Sequence, residues 1–158
     1  MNTSPSKSND GLKKAFHQGL WAAWPICVGY IPIGLALGLL AQKAGLSPFE
    51  IGLMSVFVFA GSAQFIAVSM ISDGSAPLAI IMTTLVVNLR HLLMSSSLSL
   101  YCRNAGKATL AFFAYGITDE SFAINQPRFK EGKWTISQAL TVNQASNLVW
   151  ILSTIAGG

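Results

Sequence analysis

The chain has 158 residues, of which 52% are hydrophobic and only 10% charged, and its mean hydropathy is +0.52. A soluble domain is about one-quarter charged, so this composition excludes an ordinary water-soluble fold and points to lipid as the solvent. The net charge of +4 is small and scattered, which argues against a nucleic-acid partner, and the distant Cys27 and Cys102 offer neither a disulfide framework nor metal-ligand spacing.

Residues 1–19 read as a polar N-terminal tail and residues 20–158 as a helical membrane domain. The tail opens MNTSPSKSND, a composition that predicts disorder. No secretory signal is evident, because the first apolar block is too long for a signal core and lacks a small-residue cleavage site behind it. A bilayer core needs about 20 apolar residues per helix. Five blocks come near that length: 20–41, 51–71, 76–101, 108–124 and 136–158. Strand-like alternation is absent from the sequence. The expected fold is an all-α integral membrane protein of about five transmembrane or re-entrant helices, some interrupted by Pro or Gly.

The first block contains WPICVGYIPIGLALG. Pro32 cannot donate to the Val28 carbonyl and its ring crowds that turn, while Gly29 and Gly34 loosen the flanking backbone. Discontinuous helices of this kind hold substrates in transporters, which makes Gly29, Pro32 and Gly34 candidate substrate-binding positions. The alternative is a kinked packing helix, with Gly34 and Gly38 admitting a close neighbour. The second block runs through FAGSAQF, where small residues lead into Gln64. An unpaired amide in hydrocarbon is costly, so Gln64 needs partners. An interruption at Gly61 would aim free N–H groups at an anionic group. Gly61, Ser62 and Gln64 are candidates on that ground, against small-residue packing secured by one interhelical hydrogen bond.

The third block holds LVVNLRHLLM. On a regular helix Thr84, Asn88, His91 and Ser95 share one face, whereas Arg90 lies about 160° from Asn88. Either this helix is buried on several sides or it is interrupted near Asn88. A central arginine is costly in a bilayer and marks function unless a structural partner explains it. Asp119 and Glu120, in YGITDESFAI toward the end of the fourth block, are the available carboxylates; the bland alternative leaves both solvated in a loop. Asn88 and Arg90 join the substrate-binding candidates, and His91, Asp119 and Glu120 are candidates for proton coupling or ion pairing. In the fifth block Asn143, Gln144 and Asn147 suit helix–helix hydrogen bonds.

Lys7, Lys13 and Lys14 precede the first block and only Lys43 follows it, so the N-terminus is expected in the cytoplasm. If every block crosses, Arg128, Lys130 and Lys133 lie inside while Arg103 and Lys107 lie outside. One re-entrant block exchanges the sides of those two loops. The sequence ends NLVWILSTIAGG, within an apolar pattern, which leads to the expectation of a truncated chain.

Four stretches, GYIPIGLALGLLAQKAGLSP (29–48), LMSVFVFAGSAQF (53–65), VNLRHLLMSSSL (87–98) and GITDESFAI (116–124), give the chain its resemblance to a known family. It resembles the AzlC family, the large subunit of branched-chain amino acid exporters associated with azaleucine resistance. The resemblance implies a multi-pass protein of the bacterial inner membrane, working with a small AzlD-type membrane subunit to move branched-chain amino acids outward. Members run longer than this chain. The resemblance brings no residue roles with it, so the site candidates rest on the chemistry above.

The expected function is a component of a secondary transporter that exports a zwitterion with an apolar side chain, which would pack on Phe57, Phe59 or Phe65. Its expected partners are the small membrane subunit, the amino acid and the lipid bilayer. No P-loop is present in the sequence to couple ATP, and no cofactor or metal is expected. The competing reading is a non-transporting membrane scaffold or regulatory subunit whose polar residues only fasten helices. An intramembrane enzyme ranks last, because no activated nucleophile or metal spacing accompanies the charged residues.

Overall fold

The computed structural model describes residues 5–103 and 105–158, with side chains from residue 11 onward. Among the described residues eight helices follow one another: α1 (Pro5–Lys43), α2 (Pro48–Phe57), α3 (Gly61–Ser72), α4 (Pro77–Asn88), α5 (Arg90–Ser99), α6 (Lys107–Tyr115), α7 (Asp119–Lys130) and α8 (Ile136–Gly157). Of the stretch MNTSPSKSND expected to be disordered, residues 5–10 belong to α1, as do residues 11–19 of the polar tail; residues 1–4 lie outside the described residues.

The axis of the molecule is a long parallel contact between α1 and α8. Gln138 Nε2 donates to Gln18 Oε1 at 2.6 Å near one end, and the rings of Tyr30 and Trp150 meet edge-on at 5.0 Å in the middle. Toward the other end, Gly38 abuts the backbone of Thr154 and Gly157. On α1 the buried residues Ala23, Ile26, Tyr30, Gly34, Leu37 and Ala41 recur every three or four positions, one helical face. Small residues set the distance. A Cβ at Gly34 or Gly38 would overlap Ser153 or the α8 backbone, so the helices approach as small-residue membrane pairs do. We call the Gln18–Gln138 end the lower end and the Lys43–Gly157 end the upper.

The remaining helices hang on this axis. α2 descends from the upper end: Gly52 packs on Ile155, and Ser55 Oγ meets Thr154 Oγ1 at 2.8 Å. Three residues, Val58–Ala60, then leave the helix, and α3 starts at Gly61 against the Trp150 ring. α4 and α5 form a single apolar path, Pro77–Ser99, long enough to cross a bilayer. Its lower end is fixed by Gln126 Nε2 donating to Ser97 Oγ at 2.9 Å and by Tyr101 stacked on Phe129 at 5.4 Å. Twenty-three residues at about 1.5 Å each place Pro77 at the upper end. α3 therefore returns upward, and α2/α3 is a re-entrant hairpin from above. α6 rises from the lower end, the chain breaks at Gly116–Thr118, and α7 descends beside α5. α6/α7 is the opposed hairpin from below. The outer side of α4–α5 exposes Leu78, Ile81, Leu85, Val86, Leu92 and Leu93, a surface suited to lipid rather than water.

Two expectations need correcting. α1 is continuous from Pro5 to Lys43 through Pro25 and Pro32, so the interruption expected at Gly29–Gly34 does not occur. α1 packs along α8 through this region, and the missing N–H at Pro32 does not end the helix; Ser153 Oγ meets the Tyr30 carbonyl at 3.3 Å nearby. The fourth block is two half-helices, not one span. Thr118 caps α7 by accepting from the Ser121 N–H, and Ser121 Oγ accepts from the Thr118 N–H, so Asp119 and Glu120 start a helix rather than end one.

Candidate functional site at the meeting of two hairpins

The two hairpin tips and the bend between α4 and α5 converge on one cavity of about 200 Å³, bounded by α1 and α8. A single water needs about 10–15 Å³ on such a measure, so the space suits a small solute. Both tips depend on glycine for their approach to α8. A Cβ at Gly61 would stand 3.1 Å from the Trp150 ring, and one at Gly116 would stand 2.7 Å from Asn143 Cβ. Tyr115 from the lower tip donates its hydroxyl to the Val56 carbonyl of the upper hairpin at 2.5 Å.

Arg90 is the cationic wall. Its Nη1 lies 2.6 Å from Asp119 Oδ2, and its Nη2 donates to Ser62 Oγ at 2.6 Å. Its Nε is buried without a partner. Beside it α3 begins at Gly61 with no side-chain cap on its first N–H groups, a local positive end. Glu120 is a second anionic group in the lining: its Oε2 accepts from the Tyr30 hydroxyl at 2.7 Å, and that hydroxyl stands 3.0 Å from Thr118 Oγ1. Ile33, Phe59, Phe65 and Trp150 supply apolar surface around the charges.

Of the candidate positions, Gly61, Ser62, Arg90, His91, Asp119 and Glu120 line this cavity. Gly29, Pro32 and Gly34 do not. Gly29 faces open space and Gly34 packs on Ser153, while α1 keeps its backbone bonded. Gln64 is also absent from the lining: it is fully buried, donates to Ser55 Oγ at 3.1 Å and accepts from Trp150 Nε1 at 2.8 Å. Its polar atoms are thereby spent on fastening α2, α3 and α8 behind the Trp150 wall. Asn88 ends α4 with Oδ1 buried and unpartnered, outside the cavity lining. The helix does change at Leu89, but only to tighter bonds, with the Leu89 N–H to Val86 O at 3.2 Å and the Leu92 N–H to Leu89 O at 3.1 Å; the backbone stays right-handed helical. Of the expected aromatic contacts, Phe59 and Phe65 line the site and Phe57 points outward.

Tyr30, Thr118 and Trp150 line the site without having been singled out for it. Thr118 had a readable signal, the capping pattern Thr-Asp-Glu-Ser; Tyr30 lies within the stretch 29–48 that carries the family resemblance and Trp150 also looks like a family position, but neither resemblance pointed to a cavity. Two of the three α8 amides fasten helices as expected: Asn143 accepts from Asn125 Nδ2 and donates to Phe113 O, both at 3.0 Å, and Gln144 reaches Phe112 O at 3.2 Å. Asn147 does not; its Nδ2 is buried without a partner.

A family described as AzlC protein matches residues 25–158. The chain is 30% identical over 157 residues to the inner membrane protein YgaZ of Escherichia coli, covering 98% of this chain and 64% of that protein. It is 30% identical over 151 residues to the branched-chain amino acid transport protein AzlC of Bacillus subtilis, covering 88% and 58%. An uncharacterized membrane protein of Archaeoglobus fulgidus is 32% identical over 145 residues, covering 90% and 61%. The chain thus spans about three fifths of the length of these relatives. No solved structure matches it significantly.

Proposed function

Because the chain belongs to the AzlC family, we propose that it is part of a secondary transporter exporting branched-chain or similar apolar amino acids across the bacterial inner membrane. The observation that carries this reading is one cavity lined by Arg90, by Asp119 paired with it, by Glu120 and by the aromatic residues Phe59, Phe65 and Trp150. That is the complement of a zwitterion with an apolar side chain. The substrate carboxylate binds Arg90 and the free N–H groups at Gly61–Ala63, its ammonium binds Glu120, and its side chain packs on Phe59, Phe65 or Trp150. We read the chain as a transport component and not an enzyme: Ser62, the serine at the cavity, accepts from Arg90 instead of facing a base.

A substrate carboxylate at Arg90 competes with Asp119 for the guanidinium. Once displaced, Asp119 is the carboxylate placed to take a proton, which would tie outward movement of substrate to inward movement of H⁺. His91, in the same lining, is the second proton site. The lower end carries Lys13, Lys14, Arg103, Lys107, Arg128, Lys130 and Lys133, whereas Lys43 is at the upper end. This asymmetry supports a cytoplasmic lower end and N-terminus. The partner we propose is the small AzlD-type subunit.

The test loads cells carrying the chain and the small subunit with a valine-containing dipeptide and follows valine efflux. Arg90→Ala and Glu120→Gln, inserted at the parental level, should each lose most of the efflux. Parental rates in both would sink the proposal and favour the scaffold reading. Collapse of the proton gradient should abolish efflux against a gradient; efflux that persists would remove the coupling.

A further inference from the structure

At the lower end, the turn between α7 and α8 folds against α1 and forms an open cup of about 370 Å³. His17, Gln18 and Trp21 of α1 face Arg128, Lys133 and Trp134 across it. The cup is built rather than accidental. The Arg128 guanidinium sits 4.6 Å over the Trp134 ring, and Trp134 Nε1 donates to Asn125 Oδ1 at 2.9 Å, which fixes the ring. The Gln138–Gln18 hydrogen bond ties the two sides together beneath. No carboxylate lines the cup, and neither Arg128 nor Lys133 forms an ion pair among the described residues. Glu131, in the same turn, is exposed and not part of the lining.

A second depression, of about 480 Å³, shares His17 and Trp21 with the cup and continues along α1 over Leu20 and Trp24. This one is apolar. Trp21 and Trp24 are 69% and 63% exposed within the chain, a placement that suits indoles at the headgroup level of a bilayer. A basic cup opening into an apolar groove has the shape of one kind of molecule.

We propose that this surface binds an anionic phospholipid, with the headgroup phosphate between Arg128 and Lys133 and an acyl chain lying along Leu20, Trp21 and Trp24. Arginine supplies paired donors to phosphate oxygens and lysine a point charge. Basic pockets between membrane helices at the cytoplasmic face take such headgroups. The proposal does not depend on what the central cavity carries.

The chain reconstituted in phosphatidylcholine vesicles provides the test, with brominated phosphatidylglycerol or brominated phosphatidylcholine added in increasing mole fraction. Tryptophan quenching reports occupancy. Near-surface basic residues strengthen binding to anionic lipid about fivefold each, so half-quenching is expected at a mole fraction at least about fivefold lower for phosphatidylglycerol. Arg128→Gln with Lys133→Gln should erase that difference, and Lys107→Gln, a basic residue outside the cup, should leave it intact. Equal quenching of the parental chain by the two lipids overturns the proposal whatever the variants do. Equal loss in Lys107→Gln also overturns it, by assigning the preference to general surface charge. Loss of the preference on adding millimolar inorganic phosphate assigns the cup to a soluble phosphate and overturns the lipid.

Discussion

Severing the contact between Arg90 and Asp119 tests whether the central charges form a coupled unit. Two unit charges about 4 Å apart attract by about 4 kcal/mol at an effective dielectric of about 20. Solvated pairs keep only about 0–1 kcal/mol of that, and these side chains retain 37% and 52% of their accessible surface. The pair lies between those limits, facing a cavity yet walled by half-helices. A coupling of about 1–3 kcal/mol is therefore expected in a cycle of Arg90→Ala, Asp119→Ala and the double variant. The single changes should differ. Asp119→Ala leaves the guanidinium with Ser62 Oγ alone and an Nε already without a partner. Arg90→Ala leaves Asp119 in the first turn of α7, where the helix dipole favours a carboxylate, and should cost less. Reversible unfolding in mixed micelles, followed by circular dichroism, measures all four species. Coupling below about 0.5 kcal/mol with every variant folded would refute the reasoning.

Three further outcomes follow from the packing and the caps. Gly38→Leu, which forces a side chain into the α8 backbone, should cost about 1–3 kcal/mol and lower the thermal midpoint, while Gly29→Leu, with nothing within 4 Å, should leave it unchanged. Asn143→Leu removes a donor to Phe113 O and an acceptor for Asn125; it should cost about 1–3 kcal/mol, visible as faster proteolysis of the α6/α7 hairpin. The Ser47 backbone N–H and hydroxyl both donate to Glu50 and hold its carboxyl below its usual value. That depressed value makes the α2 cap fully stabilising above the ordinary carboxylate range, and the stabilisation fades as pH falls through the lowered value. Glu50→Gln should therefore flatten the acid limb of a midpoint-against-pH curve; an unchanged limb would exclude the cap from it.

Apolar length made the five blocks legible, and the break before Gly61 and the tightened turn at Leu89 were visible as small or polar residues within them. Direction of travel was not. Residues 51–71 have the composition of a crossing helix, yet α3 turns back upward because α4–α5 must end beside Phe129. That constraint is tertiary and leaves no mark on hydropathy. Pro32 misled for the related reason that a local penalty competes with a long helix contact on α8. Gln64 looked like a ligand because its partners, Ser55 and Trp150, come from other helices. The charged residues were different. Arg90 and the two carboxylates were readable because few residue types survive in lipid without a partner or a task.

The opposed hairpins also explain why the charges carry the signs they do. Two half-helices, α3 and α7, start near the same cavity, so both present their positive ends to it. Left alone, that arrangement would be doubly cationic beside Arg90 and would trap any anion. The fold neutralises one end only. α7 is capped by Thr118 and carries Asp119 and Glu120 in its first turn, whereas α3 begins at Gly61 without a side-chain cap. The cavity consequently carries both signs, with Asp119 and Glu120 at the start of α7 and Arg90 beside the uncapped start of α3, although the backbone supplies the same dipole from both half-helices. On the function proposed above, a zwitterion enters such a site in one orientation, and proton uptake is tied to the exchange of Asp119, which pairs with Arg90 in the structure, for the substrate carboxylate.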